Sequence, residues 1–138
     1  MPIEHEIDHA RRVVIARGSG ILTEKDFFGY QEEVWSRPEV AGYDELVDMR
    51  AVEEVVLPSA ERMRALASLS AGMDPAQGSS KLAIIAPQDF AYGLGRMYEA
   101  YRGFQPSSTK EVAVFRTARE AITFLALEGI ALGAESES

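Results

Sequence analysis

The residues best placed to bind or react in this 138-residue chain are Ser19, Asp48, Arg50, Ser59, Asp89 and Thr117. Each falls close to the carboxyl end of a predicted strand or the start of a predicted helix. In an open α/β sheet that rim is where ligands collect. Ser59 has the clearest potential chemistry, because a phosphate or another anion at a helix amino terminus meets free amide donors and the positive end of the dipole. Glu53, Glu54 and Glu61 lie nearby in sequence and raise the cost of a further negative charge. Every one of these positions also has an ordinary structural use. Ser59, Asp89 and Thr117 suit helix caps, and Asp48 can simply pair with Arg50.

Other patterns lead to less chemistry. The chain has two histidines and no cysteine, which excludes disulfides, thiolate metal sites and cysteine catalysis. His5 and His9 stand four apart in a predicted hairpin, too far along extended backbone for easy joint metal binding. No serine is spaced to meet either as a nucleophile. Gly18-Ser19-Gly20 lacks the lysine of a phosphate loop, and Gly93 and Gly95 lack the third glycine of a dinucleotide fingerprint, since Tyr98 stands there. The glycine pair is expected to mark close approach of a helix to the sheet. No catalytic residue, metal ligand or cofactor site is identified.

The chain carries a formal charge of -8, so polyanions are repelled on average and nucleic acid is not an expected partner. Arg11 and Arg12, an isolated basic pair, read as a solvated strand edge. With 46% hydrophobic residues the chain can build one sizeable core but not two. The expected organisation is one domain over residues 1–129 and a frayed polar tail over 130–138. No apolar run approaches a membrane span, and the charged start is not a signal peptide, which gives a cytoplasmic expectation.

The elements that must position these residues follow from periodicity. Ile3, His5 and Ile7 alternate with acidic residues, and Arg12 to Ala16 is β-branched, predicting a hairpin turned at Asp8 to Ala10 and broken at Gly18-Ser19-Gly20. Thr23 with Asp26 predicts a capped helix carrying Phe27, Tyr30, Val34 and Trp35 on one face and ending at Pro38. Leu46, Val47 and Met49 predict a short strand, followed by a loop through Glu53 and Glu54. A helix from Pro58 and Ser59 then buries Met63, Leu66 and Ala67 and stops at Gly72. Lys81 to Ala86 reads as a central strand. In the next helix Phe90, Leu94, Met97 and Tyr101 form the inward stripe, leaving Tyr92 and Tyr98 to point elsewhere. Val112, Val114 and Phe115 make the last strand, and Thr117 with Glu120 caps a last helix that stops at Gly129. The result is a mostly parallel five-stranded α/β sheet with about four helices, in the order ββαβαβαβα.

That order resembles the STAS, or SpoIIAA-like, fold of bacterial anti-sigma-factor antagonists and transporter-associated domains. The resemblance covers Ile3 to Leu127. Its more specific stretches are Gly20-Ile21-Leu22-Thr23, Leu46-Val47-Asp48-Met49-Arg50 and Ala91-Tyr92-Gly93-Leu94-Gly95-Arg96-Met97-Tyr98-Glu99. These are similar to an uncharacterised bacterial branch grouped with STAS and with CRAL-TRIO-type lipid-binding proteins. The resemblance implies a partner-binding domain without catalysis, regulated in its best-known members by phosphorylation of a serine where Ser59 stands. The family motif has an aspartate directly before that serine, where this chain has Pro58. A glycine-rich stretch follows there, where this chain has Ala60, Glu61 and Arg62.

The leading expectation is therefore a non-enzymatic regulatory or protein-interaction domain that works as a homodimer. Its interface is expected at Tyr92, Arg96, Tyr98 and Tyr101, a mix enriched in protein contacts. The competing expectation is a module for an apolar or lipid-like ligand, held in a groove lined by Phe27, Phe28, Tyr30, Trp35 or the tyrosines of the third predicted helix. A hydrolase is the remote third.

Overall fold

The structure, a computed structural model, describes residues 2–57 and 59–127. Pro58, Gly129 and the 130–138 tail, on which expectations were placed above, lie outside the described residues. Strands β1 (Ile3–Asp8), β2 (Val13–Thr23), β3 (Asp44–Val56), β4 (Ser80–Ile85) and β5 (Lys110–Phe115) form one sheet in sequential order. β1 is antiparallel to β2, and the other neighbours are parallel. Helices α1 (Glu24–Tyr30), α2 (Ala60–Gly72), α3 (Asp89–Gly103) and α4 (Ala118–Leu125) alternate with the strands.

This connectivity explains an asymmetry between the two faces. Right-handed crossovers between sequential parallel neighbours deposit every crossover helix on the same side. So α1, α2 and α3 cover one face, over Val14, Ala16, Val47, Met49, Leu82, Ile84, Val112 and Val114. No described strand follows α4, which lies instead on the opposite face. There Ala118, Ala121 and Leu125 meet Val13, Ile15, Leu46, Ala83 and Ile85.

The local chemistry fits these boundaries, with several corrections. Asp26 accepts from the backbone N–H of Thr23 at 2.9 Å at the start of α1. The helical run does not continue evenly to Pro38. It widens into a π-turn over Gln31–Trp35, and Pro38 instead opens a short 3-10 turn, Pro38–Val40. Tyr30, Gln31, Val34 and Trp35 are all buried on the inner side of this run. Ser36 and Arg37 side chains donate to the carbonyls of Glu32 and Glu33, which the helix end leaves free.

Gly18-Ser19-Gly20 does not end β2. The strand runs on to Thr23 with register shifts at these residues, and Gly20 takes φ 67°, so the glycines make a bulge. A side chain at Gly18 would press on Leu22 and Val52, each 3.0 Å from the added carbon. β3 is likewise long, and Glu53 and Glu54 sit in it and not in a loop. β3 pairs with β4 only from Glu45 to Asp48, whereas β2 accompanies it to Val56. A two-stranded arm therefore projects beyond β4. The hairpin turn spans His9 to Arg12, with Arg12 at φ 56° stacked on Tyr43. Gly72 is the last residue of α2 and not a left-handed stop.

Candidate functional site

The rim residues singled out by sequence are placed but do not converge. Ser59 is the N-cap of α2, its Oγ accepting from Arg62 N at 3.2 Å. Arg62 in turn donates to Glu24. Thr117 caps α4 in the same way, accepting from Glu120 N. Asp89 is not a cap: Gln88 holds that position, and the carboxylate of Asp89 reaches Arg116 at 2.7 Å on the surface. Asp48 and Arg50 close on each other, with Arg50 Nε 2.9 Å from Oδ1 and a second nitrogen 2.8 Å from Oδ2. Ser19 is exposed in the β2 bulge, level with Ala51. His9 Nδ1 and Tyr43 Oη lie 2.8 Å apart. Among the described residues no group of three or more histidine, aspartate or glutamate side chains is placed to hold a metal ion. No described helix is long and apolar enough to cross a membrane.

The notable site is on the face covered by three helices. A cavity of about 90 Å³ lies between the sheet and α1, α2 and α3. Leu22, Met49, Met63, Leu66, Leu82 and Ile84 supply much of its apolar wall. Phe27, Val55, Leu57 and Leu94 line it too and are only half-buried. Its few polar lining groups are Tyr30, Gln31, Glu45 and Tyr98. Of the four aromatic residues expected to line a groove, Phe27 and Tyr30 do so. Phe28 packs against the same core and takes Arg62 on its ring, while Trp35 stands behind Tyr30.

Three of the four polar groups belong to closed networks. Glu45, 2% exposed, pairs with Lys110 Nζ at 3.1 Å and accepts from Tyr30 Oη at 2.7 Å. Trp35 donates its indole N–H to Tyr30 Oη at 3.1 Å, and the Lys110 ammonium sits 3.5 Å from the centre of the Trp35 ring. Burial and then the Glu45 charge push the Tyr30 phenol well above its ordinary range. Tyr98 Oη meets Ser70 Oγ at 2.5 Å and accepts from Arg102 Nε at 3.1 Å. Burial raises this phenol as well. Arg102 continues to Asp74 at 2.7 Å, and Asp74 also accepts from the backbone of Thr109 and Lys110. These links tie the start of β5 to the ends of α2 and α3.

Sequence reasoning missed both buried ion pairs, although a signal was present. The alternation that turns Val47 and Met49 inward also turns Glu45 inward, and Lys110 alternates in the same way with Val112 and Val114. In α3 the stripe is rotated from the expected one. Ala91, Gly95, Tyr98 and Arg102 face the sheet. Phe90, at 41% exposure, and Met97, at 38%, face out, and Phe104 beyond the helix is 80% exposed. Tyr98 is therefore a core residue and not an interface one. Tyr92 is stacked under Arg116, Tyr101 under Arg64, and Arg96 pairs with Glu99. Gly95 does mark close approach, its position lying 3.0 Å from Val114 for any added carbon, whereas Gly93 faces open space.

No protein-family model and no curated protein matches the chain. Among solved structures, an uncharacterized protein from the DUF3478 family with a SpoIIAA-like fold, from Shewanella loihica PV-4, aligns at a TM-score of 0.54 and 20% identity, over 89% of this chain and 91% of that one. With its sequential, mostly parallel five-stranded sheet and four alternating helices, the chain has the SpoIIAA-like fold.

Proposed function

We propose that the protein is a non-enzymatic binding module for a small apolar ligand, held between the sheet and helices α1 to α3. The supporting observation is the cavity itself. A large cluster of aliphatic side chains on three helices and four strands stops short of closing on itself, whereas protein interiors ordinarily fill such space. Apolar concavities with a few fixed polar groups are the usual form of small-molecule sites. Native mass spectrometry of freshly isolated protein, followed by titration with medium-chain apolar compounds, tests the reading. A retained or titratable mass that Leu94→Trp excludes is the expected result. A bare mass and no uptake across the series would refute it.

A second reading, self-association as a homodimer, is favoured by the outer face of α3. Phe90, Met97 and Phe104 recur at seven-residue spacing, which places them along one helical stripe. In an antiparallel pairing with a second copy, the Phe90 end of one helix meets the Phe104 end of the other. Arg96 then comes near Glu99 of its mate, so the charges complement each other. Gly93 and Ala100, both exposed, permit close approach. Sedimentation equilibrium should give a dimer that Met97→Glu converts to monomer. A wild-type monomer at tens of micromolar would remove this reading without touching the first.

A further inference from the structure

One polar group in the cavity wall has no role in either network. Gln31 is 8% exposed and lines the cavity. Among the described residues its side-chain amide has no hydrogen-bond partner, in contrast to Tyr30, Glu45 and Tyr98 beside it. The amide is not sealed off: among the described residues the buried side-chain polar atom left without a partner is Gln88 Oε1, so the Gln31 carboxamide stays open to water and keeps donor and acceptor capacity that no protein group uses. Gln31 also opens the π-turn, and single π-turns inside helices occur often at functional sites.

The charges around the cavity restrict what this amide can meet. The lining contains no lysine, arginine or histidine. Its one carboxylate, Glu45, is already engaged at both oxygens by Lys110 and Tyr30. An anionic head would enter without a countercharge and beside Glu45. A cationic head would find that carboxylate already neutralised by its lysine. What remains is a neutral group able to donate and accept, which is what a carboxamide pairs with.

We propose that Gln31 is the polar anchor of the cavity and that the ligand is an uncharged amphiphile, an alkyl chain ending in a hydroxyl or carboxamide. This rests on the ligand-binding reading above and deepens it. Gln31 sets the preference for the head group while the apolar wall supplies affinity.

The test is calorimetric titration of the full chain at neutral pH with 1-octanol, octanamide, octanoate and octylamine, on wild type and on Gln31→Leu and Gln31→Met. Wild type is expected to take up the alcohol and the amide at least about tenfold more tightly than either ion. The Gln31 variants should lose about fivefold to tenfold for the neutral heads, the range of one hydrogen bond, while keeping the wild-type melting temperature without ligand, since the amide has no protein partner to lose. That contrast separates a ligand anchor from a structural glutamine, whose removal would lower the melting temperature. Equal binding of all four heads, or neutral-head binding unchanged in both variants, would overturn the role of Gln31 and leave the cavity reading standing. No uptake of any of the four compounds would overturn both.

Discussion

The two faces of the sheet are built from similar strands but are filled in opposite ways. Under α4 the contact is made by small residues, Ala83, Ala118 and Ala121, so the helix sits close and the space closes around Leu46 and Leu125. Under α1, α2 and α3 the residues are larger and more varied, and three helices must meet over four strands. Those helices leave a cavity and enclose two ion pairs, Glu45 with Lys110 and Asp74 with Arg102. A replacement of equal chemistry should therefore have different consequences on the two sides. The α4 side is held by alanines in close contact with the sheet, and the three-helix side has both volume and charge to lose.

The largest effect is expected from Lys110→Met. It leaves Glu45 charged and buried with only Tyr30 to answer it, and should cost about 3–5 kcal/mol, as broken buried pairs do. Urea denaturation measures this, and adding Glu45→Leu to the same chain should restore most of the loss. Next in rank is alkaline pH. Tyr30 and Tyr98 have folded pKa values raised above the ordinary value of 10.0, first by burial. Both states bind these protons below that pH, so nothing is lost there. Above it the unfolded chain releases them first, and stability falls until the folded phenols ionise too. Absorbance titration at the phenolate band should show these two tyrosines of the five ionising only with unfolding. Unfolding that leaves two phenols still protonated would contradict this.

The contrast in volume gives a smaller effect. Ala121→Leu forces extra carbons into a filled contact and should cost about 1–3 kcal/mol, while Leu66→Phe, which points its added bulk at the cavity, should cost less. Equal losses in the two variants would mean that the faces are filled alike. The smallest effect expected is at the α4 cap, where Thr117→Ala removes the acceptor for Glu120 N–H and should cost about 1 kcal/mol by thermal melting.

How far the sequence could be read follows the same division. Elements whose apolar residues repeat at one period were placed well: β4, β5, α2, and the start of α4 at its Thr117 cap, although α4 ends at Leu125 with Ala126 in the left-handed region and not at Gly129. The fold class followed from their order. Errors arose where two periods overlap. In α3, Phe90, Leu94, Met97 and Tyr101 make a valid helical stripe, but so do Ala91, Gly95, Tyr98 and Arg102. Size and polarity favour the first set as core, yet close approach to Val114 requires the smaller Gly95 at the contact. Arg102 can be buried only because Asp74, from a loop distant in sequence, meets it. The cavity and the lone amide of Gln31 were legible only in part, since Phe27 and Tyr30 were named and Gln31 was not. Gln31 stands four residues after Phe27 and three before Val34, on the stripe that a regular period of 3.6 already turns inward, but its polarity set it apart from the apolar residues of that face.

The chain carries a single tryptophan, and the fold has wired it into the centre of this arrangement. Trp35 donates its indole N–H to the phenol that forms part of the cavity wall and lies beneath an ammonium group. A guest that displaces Tyr30, or a change that discharges Lys110, must alter the field across that indole. The colour of its emission is thus a label-free optical gauge of the buried charge, installed by the sequence itself.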